Sequence, residues 1–277
     1  MISEQYSLTG KTALVVGGRG YLGRRFCLAL QEAEAIVYAA DLPEISKAAA
    51  TDTNTIQVSG IRNLTIDVTN EQSVTSMIED IKKDVKSIDI LVYSVTAKPD
   101  DFYYPFTECS LEGWQKILRV ELDGLFLVTN RVGSVMENAG QGSIIFISSI
   151  YGVVGNDQRI YKRANLDNLY GSTDVKKFDQ IYAHAGYAAS KGAVISMTRF
   201  LAAYWGGKGI RVNCITPGGI EHPGENKAFV ETYSNRVPLG RKAKPEEISS
   251  SIIYLASDAS SYVTGHNLII DGGWTIW

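Results

Sequence analysis

The sequence alternates short apolar runs with longer segments in which apolar residues recur every three or four positions. Seven short runs predict β-strands, and they read TALVV, AIVYAA, NLTI, DILVYS, SIIFIS, IRVNCI and NLII. Five longer segments predict helices: YLGRRFCLALQEAE, NEQSVTSMIEDIKKD, LEGWQKILRVELDGLFLVTNRVGSVME, YAASKGAVISMTRFLAAYW and PEEISSSIIYLAS. Continuously apolar strands that alternate with helices are typical of a parallel sheet covered on both faces. The pattern therefore predicts one α/β domain over residues 1–277, a doubly wound parallel sheet with helices on both faces.

Local signals refine two helix starts and mark one interruption. Thr69 followed by Gln72 predicts a capping box, and Pro245 fits the first turn of a helix. Residues 153–185, which follow the fifth strand, are polar, rich in tyrosine and without clear periodicity. A loop of that length in a compact domain usually has a function or is disordered. We expect an insertion there, on the substrate side of the sheet.

Composition and charge narrow the class of protein. The 277 residues carry a formal net charge of −3, so there is no basic excess of the kind that binds nucleic acid. The three cysteines, Cys27, Cys109 and Cys214, are scattered without metal-ligand spacing, which favours a reducing compartment and no metal. No apolar stretch approaches the roughly 20 residues of a membrane helix. These features predict a cytoplasmic enzyme without a membrane partner.

A glycine-rich turn joins the first strand to the first long helix. The stretch VVGGRGYLGRR places Gly17, Gly20 and Gly23 where small residues would let a pyrophosphate reach the backbone N–H groups of a helix N-terminus. Asp41 ends the next strand, 18 residues beyond Gly23, where an acid accepts both hydroxyls of an adenosine ribose. The turn and the acid together predict a dinucleotide site.

The same region indicates which dinucleotide. Asp41 would repel a 2′-phosphate, which favours NAD over NADP. Arg19, inside the turn, is the competing feature because a guanidinium there would hold such a phosphate. Asp67, at the end of the third strand, is a candidate contact on the adenine side.

Three further residues predict acid–base chemistry. Tyr187 and Lys191 are four apart at the start of a helix, hence on one face, and a nearby ammonium lowers the pKa of a phenol. Ser149 ends the buried fifth strand, where a hydroxyl faces the crevice of an open parallel sheet. The spacing alone is weak evidence, because Tyr204 and Lys208 share it.

With these residues in view, the chain resembles the short-chain dehydrogenase/reductase family over nearly its whole length. The segments that carry the resemblance are GKTALVVGGRGYLG, DILVYS, GSIIFISS, YAASKGAV, GIRVNCITPGGI and LASDASSYVTGHNLIIDGGW. The resemblance implies a Rossmann-type fold, NAD(P)-dependent interconversion of alcohols and carbonyls, and a homodimer or homotetramer. It also implies that Ser149 polarises the carbonyl, that Tyr187 transfers the proton, and that Lys191 tunes Tyr187 and holds the nicotinamide ribose. The cofactor contacts expected on these grounds are Gly17, Arg19, Gly20, Tyr21, Leu22, Gly23, Asp41, Asp67, Val68, Ser94, Tyr187, Lys191, Pro217, Gly218 and Ile220.

The chain departs from the family pattern at several positions. The Gly-x-x-Gly-x-x-Gly spacing is closer to that of the sugar-nucleotide epimerase branch. Residues 93–96 read Tyr-Ser-Val-Thr where the family usually reads Asn-Asn-Ala-Gly. Glu121 stands where the family has an Asn that steadies a water, so its carboxylate would pair with Lys191 or carry protons itself. His222 replaces the usual Thr, and we expect either a loop histidine or a substrate contact.

Tyr187 follows Ser149 by 38 positions, against about a dozen in a typical relative. The intervening insertion, with SSIYGVVG before it, resembles members linked to bacterial flagellin glycosylation and nonulosonic-acid sugars. Its donors suit an anionic or polyhydroxylated small molecule. The alternative is a surface loop or an oligomer contact. The candidate substrate residues in and around it are Tyr151, Arg159, Tyr161, Lys162, Arg163 and Tyr170.

Three functions stay open at this point. The first is an NAD-dependent oxidoreductase for a secondary alcohol or ketone of a sugar-derived or nucleotide-sugar substrate. The second is a sugar-nucleotide epimerase or dehydratase that retains its NAD. The third is a catalytically silent dinucleotide-binding protein, which the residues at 96, 121 and 222 motivate. Intact Ser149, Tyr187 and Lys191 favour the first.

Overall fold

The sheet of the computed structural model is parallel throughout, and the structure describes residues 2–43, 60–162 and 178–277. Its strands follow the order β3-β2-β1-β4-β5-β6-β7. Their bounds are β1 Thr12–Val16, β2 Ile36–Asp41, β3 Arg62–Thr65, β4 Ile90–Tyr93, β5 Gly142–Ile147, β6 Ile210–Pro217 and β7 Asn267–Ile270. All seven overlap the predicted runs, and the predicted doubly wound fold is confirmed. The strand order reverses between β1 and β4, which is where a ligand crevice forms in such sheets.

Helices cover both faces of the sheet. Their bounds are α1 Ile2–Gln5, α2 Tyr21–Glu32, α3 Glu71–Asp84, α4 Leu111–Leu118, α5 Gly124–Ala139, α6 Ala185–Trp205, α7 Lys227–Ser234 and α8 Pro245–Ala256. Alternate side chains of each strand point to opposite faces. Leu14 and Val16 of β1 pack with the apolar sides of α3, α5 and α6. Ala13 and Val15 pack with those of α2 and α8. Two buried apolar layers thus hold the strand ends in place.

One of the two predicted helix starts is wrong. The N-cap of α3 is Asn70, whose side chain accepts the Ser73 N–H, and not Thr69 in a capping box with Gln72. Thr69 instead donates to Asp67 through its hydroxyl and its N–H. Thr69 is therefore part of an Asx-type turn at Asp67, and its hydroxyl does not form the capping box. Pro245 begins α8, as predicted.

The long helix predicted between residues 111 and 137 forms, but it is not α-helical throughout. A π-helical turn, Arg119–Asp123, separates α4 from α5. The Tyr93 hydroxyl donates to the Val120 carbonyl at 2.7 Å, which satisfies a backbone acceptor within the turn. Single π-turns inside α-helices are rare, and those that occur are often found at functional sites. Glu121 lies in the middle of this one.

The glycine turn between β1 and α2 is built by contact of backbone with backbone. Gly17 has a φ of +81°, in the left-handed region that favours glycine. A Cβ at Gly17 would overlap the Ser94 carbonyl, and a Cβ at Gly23 would overlap the Gly17 carbonyl. The first and third glycines are therefore needed for the turn to close.

Other features of the described residues bear on function class. No helix in the described ranges is long and apolar enough to cross a bilayer. Across the same residues, no group of three or more His, Cys, Asp or Glu side chains is arranged to hold a metal ion. All three cysteines are free thiols, and Cys27 and Cys214 are buried.

We predict that Gly23→Ala destabilises the protein by about 1–3 kcal/mol, the cost of overpacking a closed contact. The Gly17 carbonyl cannot move without reopening the turn. Urea unfolding measures the change. The control is Gly207→Ala, because nothing lies within 4 Å of a Cβ there and its φ is ordinary; we expect a change within about 0.5 kcal/mol. Equal stability of the two variants would contradict this account of the turn.

Candidate active site

A cleft of about 420 Å³ opens at the carboxyl ends of the strands. Its walls come from the ends of β1, β2, β4, β5 and β6 and from the start of α2. The structure brings together all of the predicted cofactor residues except Arg19: Gly17, Gly20, Tyr21, Leu22, Gly23, Asp41, Asp67, Val68, Ser94, Tyr187, Lys191, Pro217, Gly218 and Ile220. Ser149 lines the cleft as well.

The start of α2 fits the pyrophosphate of a dinucleotide. Helix α2 begins at Tyr21. Its N-cap residue is Gly20, which has no side chain to cap the first N–H groups of the helix. Those N–H groups lie at the positive end of the helix and lack intrahelical partners. A Cβ at Gly20 would approach only the Gly17 carbonyl, at 3.3 Å, so the turn is open on the side of the cleft. This is the arrangement that binds phosphate groups at helix N-termini.

Asp41 and Arg19 are fixed by the backbone around them. The Asp41 carboxylate accepts the Arg19 N–H at 3.0 Å and the Leu42 N–H at 2.9 Å. Burial raises the pKa of Asp41, whereas these two N–H groups and the Arg19 charge lower it. The Arg19 guanidinium donates to the carbonyls of Asp41, Leu42 and Leu64. Its Nη2 is therefore held by backbone oxygens at the edge of β2.

The predicted catalytic residues meet where α6 begins. Ser149 follows β5, and its hydroxyl lies close enough to the Tyr187 phenol to lower the pKa of that group. The Lys191 Nζ lies 5.3 Å from the centre of the Tyr187 ring and donates to the Ile147 carbonyl at 3.2 Å. Lys191 is only 5% exposed. The three side chains share one buried corner between the cleft and a second cavity.

Lys191 lowers the pKa of Tyr187, as expected, but the net shift of that pKa is upward. Burial raises the pKa of Tyr187, and Glu121 raises it further. Lys191 and the Ser149 hydroxyl lower it, but they do not compensate for burial. The ammonium acts less strongly on the phenol because a carboxylate neutralises it from the other side.

That carboxylate is Glu121, which is 1% exposed. Its Oε2 lies 3.0 Å from the Lys191 Nζ and 2.8 Å from the Ser190 Oγ. Its Oε1 accepts the Thr96 hydroxyl at 2.6 Å. Burial opposes the charge of Lys191, but Glu121 and Tyr187 outweigh it and raise the pKa of Lys191. Two departures from the family pattern, Thr96 and Glu121, are thus hydrogen-bonded to each other, a link that spacing alone did not indicate.

A second cavity of about 380 Å³ shares Ser149 and Tyr187 with the cleft. Its walls are mainly aromatic. The Tyr151 and Tyr161 hydroxyls lie 3.0 Å apart, and the Tyr161 ring stacks on Phe229. Tyr151 and Tyr161 were expected near the substrate. The cavity residues that the sequence did not single out include Lys98, Phe102, Tyr103, His184, Glu225, Phe229, Tyr233 and Lys242.

Other predicted substrate residues lie elsewhere. Arg159 has a side chain 71% exposed and pairs with Asp157. It lines a separate surface depression with Lys162 and does not line the cavity that holds Ser149 and Tyr187. The His222 ring packs 4.4 Å from that of Tyr21, and Nδ1 lies 2.9 Å from the Pro223 carbonyl. His222 is not among the lining residues of the cavity. Arg163 and Tyr170 lie outside the described residues.

Comparisons with known proteins agree with this geometry. Residues 11–161 match the family model described as short chain dehydrogenase. The chain belongs to the short-chain dehydrogenase family. Residues 173–275 match a second model, described as enoyl-(acyl carrier protein) reductase.

Relatives at full length give the same result. The chain is 33% identical to the 3-oxoacyl-[acyl-carrier-protein] reductase FabG of Thermotoga maritima, over 97% of this chain and 99% of that one. It is 32% identical to a D-threitol dehydrogenase of Mycolicibacterium smegmatis, over 99% and 96%. A gluconate 5-dehydrogenase structure from Burkholderia cenocepacia, in complex with NADP and tartrate, superposes with a TM-score of 0.82 at 27% identity, with 100% of both chains covered. The protein is an NAD(P)-dependent oxidoreductase that interconverts an alcohol and a ketone.

We predict that Glu121→Gln moves the pH dependence of alcohol oxidation to lower pH. Glu121 raises the pKa of Tyr187, so its neutral replacement lowers that pKa, and the phenolate needed for oxidation forms at a lower pH. The measurement is the rising limb of kcat/KM against pH. The control is Asp123→Asn, which removes an exposed carboxylate from the same π-turn. An unchanged or alkaline-shifted limb in Glu121→Gln would contradict the assignment.

Proposed function

We propose that this enzyme oxidises a secondary hydroxyl of a polyol or sugar-derived substrate with NAD⁺, and catalyses the reverse reduction. The observation that carries the proposal is the position of Ser149 and Tyr187 on the boundary between the cofactor cleft and the aromatic cavity. A hydroxyl carbon in the cavity can reach both side chains from one side while its hydride faces the cleft.

Each residue of the corner has a role in proton transfer. Tyr187 takes the hydroxyl proton of the substrate as a phenolate, and Ser149 holds the same oxygen by a hydrogen bond. Lys191 stabilises the phenolate and would hold the nicotinamide ribose. Bound NAD supplies the hydride acceptor at its nicotinamide ring. Gly17, Gly20 and the start of α2 would hold the pyrophosphate, and Asp41 the adenosine ribose.

Glu121 provides a path for the proton away from the corner. The Lys191 ammonium bonds Glu121, whose other oxygen bonds the Thr96 hydroxyl. Thr96 is exposed. Lys191 can give a proton to Glu121 as it takes the one from Tyr187, and Thr96 can carry the proton from Glu121 to the cleft surface, which regenerates the phenolate.

Substrate class is supported by the cavity and by the relatives. Tyrosine hydroxyls on aromatic walls suit a hydroxylated carbon chain. Two relatives are named for D-threitol and gluconate. Members linked to flagellin glycosylation and nonulosonic-acid sugars, which the insertion resembles, add keto sugar acids to the set to be tested.

The proposal includes a homodimer or homotetramer in the cytoplasm. Phe126 on α5 and Phe200 and Tyr204 on α6 are each more than half exposed. The Phe200 and Tyr204 rings stack on each other at the surface. Such apolar groups on neighbouring helices support an interface between copies. Three free thiols support a reducing compartment.

Tyr187→Phe is expected to lower turnover at least about a hundredfold, the contribution of a positioned acid–base group. NAD⁺ affinity should stay within about twofold, because the ring and its packing remain. Steady-state oxidation of D-threitol and related polyols gives the first value, and quenching of protein fluorescence by NAD⁺ gives the second. Retained turnover with a suitable substrate would refute the role of Tyr187. The control is Tyr204→Phe, from the exposed pair with the same spacing to Lys208.

The cofactor preference is tested at Asp41. We expect NAD⁺ to be used better than NADP⁺, and Asp41→Asn to narrow the gap roughly tenfold, because the amide keeps the hydrogen-bonding site without the charge that repels a 2′-phosphate. The measurement is the ratio of kcat/KM for the two cofactors. Asp123→Asn, an exposed carboxylate that does not line the cleft, serves as the control. A wild-type preference for NADP⁺ would show that Arg19, and not Asp41, sets the selectivity.

A further inference from the structure

Two charged side chains in the aromatic cavity have no part in the proton transfer described above. Lys242 is 5% exposed, and its ammonium pairs with the Glu225 carboxylate. The other Glu225 oxygen accepts the His222 N–H at 3.1 Å. Both side chains line the cavity that holds Ser149 and Tyr187.

A buried ion pair of this kind is weak evidence for stability. Removing two charges from water costs free energy that their attraction often fails to recover. Burial lowers the pKa of Lys242 even though Glu225 raises it, which indicates a poorly hydrated ammonium. The pair therefore needs an explanation other than holding the fold together.

Aromatic side chains surround the pair and connect it to the predicted catalytic residues. The Lys242 Nζ lies 5.4 Å from the Phe229 ring centre and 5.8 Å from that of Tyr233. Phe229 stacks on Tyr161, whose hydroxyl meets that of Tyr151. The Tyr151 N–H in turn donates to the Ser149 Oγ at 3.3 Å. A continuous series of contacts thus runs from the pair to the predicted catalytic serine.

We propose that Lys242 and Glu225 together bind hydroxyl groups of a neutral polyol beyond its reacting carbon, and that they disfavour a sugar acid. This rests on the proposed function and names its substrate class. An ammonium donates and a carboxylate accepts, so the pair matches the mixed donor and acceptor character of adjacent hydroxyls. A substrate carboxylate only accepts, and it would meet Glu225 as a like charge.

Another cation lines the same cavity. Lys98 would attract an acid, but it is exposed, so solvent and salt screen its charge more than they screen the charges of the buried pair. Lys242, whose charge is balanced within the cavity, favours recognition by hydrogen bonds over recognition by net charge.

The test measures binding, so that it does not depend on turnover. In the Tyr187→Phe background saturated with NAD⁺, calorimetry gives the Kd of three matched pairs: D-threitol and D-threonate, glycerol and D-glycerate, D-glucitol and D-gluconate. We expect at least one polyol to bind, and each polyol that binds to do so more tightly than its acid. Lys242→Met should raise the Kd of that polyol roughly tenfold or more, because a hydrogen bond to a charged group is lost. Lys227→Met, an exposed lysine on α7, should change it less than twofold.

A second variant predicts a change of sign. Glu225→Gln leaves the Lys242 charge uncompensated. It should therefore weaken binding of the polyol and strengthen binding of the acid. The double variant Lys242→Met/Glu225→Gln removes both charges, and unchanged NAD⁺ affinity shows that it is folded. The proposal is overturned if no polyol binds, if the acid of each pair binds more tightly, or if Lys242→Met behaves like Lys227→Met. Failure of the proposed function is a different result: polyols bind as expected, but wild-type protein oxidises none of them.

Discussion

The buried contact between Lys191 and Glu121 is the interaction on which the electrostatics of the active site depend. An ammonium beside Tyr187 favours the phenolate, yet a carboxylate 3.0 Å from that ammonium takes back part of the effect. An isolated charge in this corner would carry a large desolvation cost. The pair avoids that cost and keeps Lys191 charged, so the tuning of Tyr187 is set by the balance between two neighbours of opposite sign.

The departures from the family pattern at residues 93, 96 and 121 form one connected group. A buried carboxylate at position 121 needs donors, and the Thr96 and Ser190 hydroxyls provide them together with Lys191. The π-turn Arg119–Asp123 carries Glu121, and the Tyr93 hydroxyl satisfies a carbonyl of that turn. Unrelated losses in a silent protein would leave buried polar groups without partners. Here the altered residues satisfy one another around an intact Ser149, Tyr187 and Lys191, which argues for a retuned enzyme.

The sequence predicted what depends on local pattern. Apolar runs placed all seven strands, and the glycine turn with Asp41 located the cofactor cleft because both follow from strand ends in a parallel sheet. The pattern failed where tertiary contacts decide. The four-residue spacing alone does not distinguish Tyr187 and Lys191 from Tyr204 and Lys208; burial does. The π-turn likewise follows from packing, whereas the Asn70 cap follows from the competing turn at Asp67.

The sequence does not indicate Lys242 and Glu225 as site residues for the same reason. Charged residues in a polar stretch are typical of a solvated surface. In the fold they meet over Phe229 and Tyr233, inside the cavity that contains Tyr187. The active site therefore contains two buried ion pairs, one beside the phenol and one in the aromatic cavity. Each pair cancels its own charge over a few ångströms, so neither projects a strong field on a distant ligand. Such a site distinguishes between ligands at hydrogen-bonding distance. There, the positions of donors and acceptors on the ligand matter more than its net charge.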